Sequence, residues 1–332
     1  MKLTTIKSMN SSQPSWQIVR EWDEILATTL GLKIMNESRF CRFVKFNFIN
    51  KYNLAKYYRL FEHKSENLAL MFVMTAEINP NCFIDANTIP VIIDFWLKED
   101  ELPLFYESYR YVPLMLVTNL EVYNFLKSHN CPIKIAHWGL SFPDKYALTD
   151  NVTEKKYELC IFGRPNPFFI RLLEHYVTCH PDFEYIINNG NIGNRQYMTN
   201  KGTFVCKDTG RKSYLNMISK TKISCYSTPG IDEAKKDSTM FNQITPRLFE
   251  MICNGCMVIG HYPICGADVL WYNIESLVPQ VNNYEEFESV LNRMRLSEFD
   301  NHSASAFMQK HYTSKRAIDL VRILEQFKID IG

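Results

Sequence analysis

The chain alternates short apolar runs with amphipathic stretches twice over, and one polar stretch, residues 143–156, separates the two series. In the first series the runs are Leu68–Thr75, Ile89–Asp94, Leu114–Thr118 and Ile133–His137. In the second they are Tyr157–Phe162, Phe183–Ile187, Lys222–Tyr226 and Cys256–Ile259. Helical spacing marks Trp16–Leu30, Glu121–Ser128, Phe168–Thr178, Ser213–Ser219 and Asn283–Met294. Strands this short, separated by helices, predict an α/β chain whose parallel sheets are covered on both faces. A length of 332 residues suggests two domains of about 150 residues each, and 46% hydrophobic content is enough for two cores. The expected division is 1–150 and 151–305, with a last segment 306–332 that holds an amphipathic helix broken near His311-Tyr312-Thr313.

Composition narrows the function. A net charge of +1 argues against a nucleic-acid partner. Met1–Ser15 is polar and has no secretory core, and no apolar run approaches the roughly 18 residues that span a bilayer, so a cytoplasmic location is expected. Ten cysteines lie scattered; Cys253-Asn254-Gly255-Cys256 is formally a C-x-x-C, but no second pair stands at zinc-ribbon spacing. No metal is expected.

Ligands of parallel sheets gather at the carboxyl ends of the strands. In the first half those positions are Thr75, Glu77, Asp94, Trp96, Thr118 and Asn119. Asp94 precedes Phe95 and Trp96, whose apolar cover would raise its pKa and make it a usable base; a helix cap or surface aspartate fits the same residues. Residues 39–64 hold seven Lys/Arg against Glu62 alone, interleaved with eight Phe and Tyr. Val44, Phe46 and Phe48 alternate as in a strand, and Leu54–Phe61 resumes a helical period. A contact with anionic lipid and an ordinary edge strand and helix both fit this stretch.

In the second half, Gly163-Arg164 follows the first strand. The loop 188–193 lacks G-x-G-x-x-G spacing, and the charged loop 231–243 is long enough to move over a ligand. Leu277 and Val278 read as a short strand. The densest signal is Thr245–Gly260. Thr245 can cap a helix through its side chain and Pro246 suits the first helical position. Leu248, Met251 and Ile252 share one face, while Arg247, Glu250 and Asn254 share the other. Gly255 supplies a left-handed stop before the buried run Cys256–Ile259. The bare N–H groups of such a helix suit a phosphate. The same residues also fit a helix whose Arg247 and Glu250 make a solvated i,i+3 pair of ~0.2–0.5 kcal/mol.

This stretch resembles the donor-binding motif of GT-B glycosyltransferases, here the glycosyl transferases group 1-like enzymes of bacterial surface polysaccharides. There an Arg/Lys-x-x-Glu helix is followed by a glycine and a buried strand. The resemblance implies two Rossmann-like domains facing each other across a cleft, with the C-terminal segment crossing back to the first. It implies a nucleotide-sugar as substrate, with Glu250 on the ribose and Gly163, Arg164, Thr245 and Arg247 about the diphosphate. A glycan or lipid-linked glycan would be the acceptor, met by Glu77, Thr118 and His137, with Asp94 as the base of an inverting reaction. Weak contact with the inner face of the cell membrane through 39–64 would accompany a lipid-linked acceptor. No cofactor and no metal are implied, since the Asp-x-Asp of the other main glycosyltransferase fold is absent. One departure matters. The large retaining group carries a second acid eight positions before the ribose-binding one, and that position is Asn242, so retention and inversion both stay open. A nucleotide-sugar epimerase of the same fold and a non-catalytic nucleotide- or glycan-binding protein are the alternatives.

Overall fold

The computed structural model describes residues 1–8, 15–36, 39–52, 54, 65–76, 78, 84, 86–149, 153–189, 196–233 and 241–332. These form two compact units, one from Met1–Asp144 and His311–Gly332, the other from most of Lys145–Lys310.

The first unit is built on a sheet of β1 (Lys2–Ser8), β2 (Lys33–Asn36), β3 (Asn67–Thr75), β4 (Thr88–Asp94), β5 (Met115–Val117), β6 (Ile135–His137) and a closing strand, Asp330–Ile331. Every pairing is parallel, in the order closing strand–β1–β3–β4–β5–β6. The closing strand meets Lys2 and Leu3 of β1, and β2 meets Thr5–Ser8 farther along the same edge. β4 is buried at every residue except Asp94, the two-sided burial a parallel sheet imposes. On the Ser15–Leu30 helix, Trp22 packs against Phe72 at 5.4 Å, and Phe72 stacks on Trp138 at 6.0 Å. The Thr313–Gln326 helix packs on that same helix, and Trp138 Nε1 donates to the Arg316 carbonyl at 2.8 Å.

The second unit holds β7 (Tyr157–Ile161), β8 (Tyr185–Asn189), β9 (Gln196–Thr199), β10 (Phe204–Lys207), β11 (Thr221–Ser227) and β12 (Met257–His261), in the order β10–β9–β8–β7–β11–β12. β8, β7, β11 and β12 run parallel, while β9 and β10 are an antiparallel extension at one edge. The chain leaves β7 for β8 on one side and later returns to β11 on the other. The topological switch point, where ligands bind in such sheets, therefore lies between the carboxyl ends of β7 and β11.

Two local expectations change. Residues 44–48 are not a strand: Arg39–Val44 is α-helical and Lys45–Asn50 is a π-helix. An apolar alternation specifies a strand when one face is buried, but Phe48 is exposed and Val44 only half-buried, so nothing selects that period. Phe40, Phe43 and Val44 also fit helical spacing. Leu277–Val278 follows a short 3-10 turn at Ile274–Ser276, and the pairing beside β12 is a single bridge from Gly260 to Gln280. The helix expected at Leu54–Phe61 falls largely outside the described residues, as does most of the loop 231–243.

Candidate functional site

Helix Pro246–Cys253 enters from Thr245, whose extended backbone (φ −97°, ψ 154°) marks the cap position. The cap differs from the expected one. Thr245's side chain accepts no capping bond; its carbonyl accepts from Leu248 N–H at 3.1 Å, and its own N–H donates to the Tyr226 hydroxyl at 2.9 Å. Tyr226, buried on β11, thus holds the residue that starts the helix, and burial pushes its phenol pKa up. At the far end Gly255 (φ +67°) makes the left-handed stop. Cys256 N–H reaches the Met251 carbonyl and Gly255 N–H the Ile252 carbonyl, both at 3.0 Å, which satisfies two terminal carbonyls. Lys155 Nζ donates to the Asn254 carbonyl at 2.7 Å and to the Ser219 carbonyl at 2.9 Å, a cation placed where two helices end.

The N-terminal end of this helix lies beside the switch point. Gly163, at the end of β7, has φ +75°, and a Cβ added there would collide with the Arg247 guanidinium. Arg247 therefore lies flat across the glycine. Two residues distant in sequence meet at the carboxyl edge of the sheet because one lacks a side chain. Arg164, the next residue, is exposed. Among the described residues no carboxylate pairs with Arg164 or Arg247, which leaves two cations at one edge of the sheet.

Glu250 is nearly buried, at 6% exposure, so the solvated Arg247–Glu250 pair does not form. Its Oε1 accepts from Arg211 Nη1 at 2.5 Å, and the Tyr214 hydroxyl also bonds its carboxylate. Burial and the Glu250 charge push the Tyr214 phenol well up, so that hydroxyl keeps its proton. Arg211 offsets the charge of Glu250 without drawing on Arg247. Each carboxylate oxygen can accept more than one bond, so Glu250 retains capacity for further donors. The Arg211 guanidinium also lies 5.3 Å from the Tyr146 ring centre. Nothing in the sequence linked Arg211 or Tyr214 to Glu250; the nearest signal is Asp208-Thr209-Gly210, whose Asp208 carboxylate accepts from Gly210 N–H at 3.2 Å and starts the Arg211–Ser219 helix.

Around the same edge, Thr228 Oγ1 donates to Asn242 Oδ1 at 2.7 Å. His261, at the end of β12, bonds the Val281 carbonyl through Nδ1 at 3.0 Å and the Asp232 carboxylate through Nε2. Asn166 Nδ2 donates to the same carboxylate, at Asp232 Oδ2, at 3.3 Å, so the ends of β7, β11 and β12 are tied together. Phe168 stacks on His261 at 3.8 Å. None of these ties was visible in sequence, because each joins residues from different strand ends.

In the first unit the expected residues stand at successive strand ends. Asp94 closes β4, in register with Thr75. Thr118 is buried and its hydroxyl donates to the Ile93 carbonyl at 3.1 Å, tying two strand ends together. His137 closes β6 and bonds the Thr118 backbone; burial and the nearby Arg316 push its pKa down to about 4. It is therefore a neutral imidazole at pH 7. Glu77 lies outside the described residues. The structure gathers Gly163, Arg164, Thr245, Arg247 and Glu250 in the second unit and sets Asp94, Thr118 and His137 along the carboxyl edge of the first. Among the described residues no group of His, Cys, Asp or Glu has the arrangement of a metal site.

No protein-family model and no curated protein matches the sequence. Solved structures do match. The GtfA/B complex superposes with a TM-score of 0.53 at 11% identity over 84% of this chain, which spans 61% of that chain. Anabaena HepE in complex with UDP gives a TM-score of 0.54 at 9% identity, over 98% of this chain and 100% of its own. Sucrose-phosphate synthase from Thermosynechococcus elongatus gives 0.54 at 9%, over 99% of both chains. At such identities the likeness is one of architecture, and it extends through both units: the chain has the GT-B fold.

Proposed function

We propose that the chain is a glycosyltransferase that moves a sugar from a nucleotide-sugar to a hydroxyl of a glycan or lipid-linked glycan in surface-polysaccharide synthesis. The observation that carries this is Arg247 lying across Gly163 at the switch point, with Arg164 beside it and the Pro246–Cys253 helix starting there. That edge offers two cations without carboxylate partners among the described residues, and a helix N-terminus, which suits a diphosphate. Glu250, one turn along the helix and held by Arg211 and Tyr214, is the acceptor for the ribose hydroxyls. The diphosphate leaves with its charge offset by Arg164, Arg247 and the helix, a scheme that uses neither metal nor cofactor. Anabaena HepE, which shares the fold, is in complex with UDP in one structure and with UDP-glucose in another, which supports a uridine diphosphate donor as the first to test.

Glu77, Asp94, Thr118 and His137 are assigned to the acceptor side, with Asp94 the base if the anomeric configuration inverts. A cytoplasmic enzyme at the inner face of the membrane, in weak contact with it through 39–64, belongs to the same reading. Among the described residues no helix is long and apolar enough to cross a membrane.

One observation favours a second reading, a nucleotide- or glycan-binding protein without turnover: Glu250 already has two protein partners. Incubation with a panel of sugar donors and acceptors separates the two. Release of nucleoside diphosphate with a glycosylated product supports the transferase. Tight donor binding with no release by any donor would leave the binding protein standing.

A further inference from the structure

The segment between β2 and β3 carries the most one-sided charge in the chain. Residues 39–64 hold seven Lys/Arg and one acid, whereas the rest of the chain holds thirty Lys/Arg and thirty-five Asp/Glu. The chain's near-neutral total therefore conceals a basic segment on a mildly acidic body.

The described part of this segment is also where aromatic rings stand in water. On the helices Arg39–Val44 and Lys45–Asn50, Phe40 is 75% exposed, Phe43 56% and Phe48 49%; Tyr52, just beyond, is 59% exposed. These rings are neighbours. Phe43 lies 6.2 Å from Phe48, Phe48 lies 6.5 Å from Tyr52, and Lys51 Nζ sits 5.7 Å from the Tyr52 ring centre. Single exposed apolar residues need no account, but a contiguous cluster marks an interaction surface. Rings at headgroup depth with cations against phosphates are the chemistry of a bilayer interface. Single-stranded nucleic acid fits less well. It needs ring faces open for stacking, whereas Phe43 meets Phe48 edge-on, and the remainder of the chain is net acidic.

We infer that this face docks on an anionic lipid bilayer, with Phe40, Phe43, Phe48 and Tyr52 seated among the headgroups and Lys51 against lipid phosphate. It deepens the membrane contact of the proposed function and rests on that reading only for its purpose, delivery of a lipid-linked acceptor.

Cosedimentation of the full chain with vesicles, in the absence of nucleotide, tests it. Vesicles of phosphatidylcholine with about a third phosphatidylglycerol should pull the protein down, vesicles of phosphatidylcholine alone should not, and added salt should weaken the binding. The variant Phe40→Ser, Phe43→Ser, Phe48→Ser should lose at least about tenfold in partitioning with little change in melting temperature, since each ring is about half exposed or more. Lys51→Glu, which removes no ring, should lose about fivefold. Equal binding to neutral vesicles, no binding by the native chain, or a triple variant that binds like the native chain would overturn the proposal. So would light scattering that shows a dimer lost in the triple variant, or displacement of a bound oligonucleotide in place of lipid. Because donor is absent from the assay, its failure leaves the donor site untouched, and failure of donor binding leaves the vesicle result standing.

Discussion

Gly163→Ala is the most informative single substitution in the proposed donor site. Two effects are expected, and they can be separated. The first is backbone strain: φ is +75°, where an L residue costs about 1 kcal/mol. The second is specific, because the new Cβ would occupy the volume of the Arg247 guanidinium. The guanidinium must then swing off the strand end and lose its charge-assisted bonds to a bound phosphate, each about 1.5–3 kcal/mol. Nucleotide affinity should fall about tenfold to a hundredfold, at about 1.4 kcal/mol per tenfold. Gly202→Ala is the control. Its φ is +86° and nothing lies within 4 Å of the added Cβ, so it carries strain without the collision. Isothermal titration with uridine diphosphate and chemical denaturation should be run on both variants. Both should lose about 1 kcal/mol of stability, and only Gly163→Ala should lose nucleotide affinity. Equal affinities for Gly163→Ala and the native chain would refute the placement of the diphosphate at this strand end.

Glu250→Gln should weaken nucleotide binding at least about tenfold, about 1.4 kcal/mol, and should reduce the preference for ribose over 2′-deoxyribose nucleotides; Glu250→Ala would also strand the Arg211 charge and cost stability. Lys155→Met removes a cation shared by two helix ends, and should cost about 2 kcal/mol in denaturation while leaving nucleotide affinity unchanged. The pH dependence of stability should reveal two opposed groups. Burial pushes the Asp23 carboxyl up to about 7, so the folded chain binds more protons than the unfolded one between about 4 and 7, and stability from this group falls as pH rises through that window. His137 is pushed down to about 4, so its contribution is full above about 6.5 and is lost as pH falls toward 4. Asp23→Asn should therefore show stability rising with pH between about 4.5 and 6.5, and His137→Gln should show it falling; parallel pH profiles of the two variants would contradict both assignments.

Most of the fold could be read from the chain because parallel sheets demand continuous apolar runs. β4 is buried at all positions but its last, and its sequence has no polar residue between Ile89 and Ile93. β1 escaped notice for the opposite reason. Only Leu3, Ile6 and Ser8 of its Lys2–Ser8 span are buried at the level of a core residue, so its composition is that of an exposed segment. Its place is set by pairing with three other strands, which no local pattern records. The antiparallel extension β9–β10 was missed likewise, because its edge strand β10 is half in water. In the proposed donor site, Gly163, Arg247 and Glu250 could be singled out in sequence because a helix start, a glycine stop and a strand end leave local marks. Their partners were not. Arg211 and Tyr214 reach Glu250 from the helix before β11, and Tyr226 reaches Thr245 from β11 itself, contacts that exist only once the sheet order is known. The side-chain cap expected of Thr245 failed for the same reason: a buried tyrosine from the preceding strand holds that residue through its backbone.

The donor site is tested most directly by a thermal-shift series with uridine diphosphate, uridine diphosphate sugars, uridine monophosphate and inorganic phosphate, on the native chain and on Arg247→Ala. A ligand that binds only the folded chain raises its melting temperature in proportion to its affinity, by about 2.7 kcal/mol of added stability at a hundred times Kd. A rise is expected with the diphosphates in the native chain, little with monophosphate or phosphate, and loss of the rise in Arg247→Ala. No shift with any nucleoside diphosphate or nucleotide-sugar, or a shift that Arg247→Ala leaves intact, would contradict that expectation.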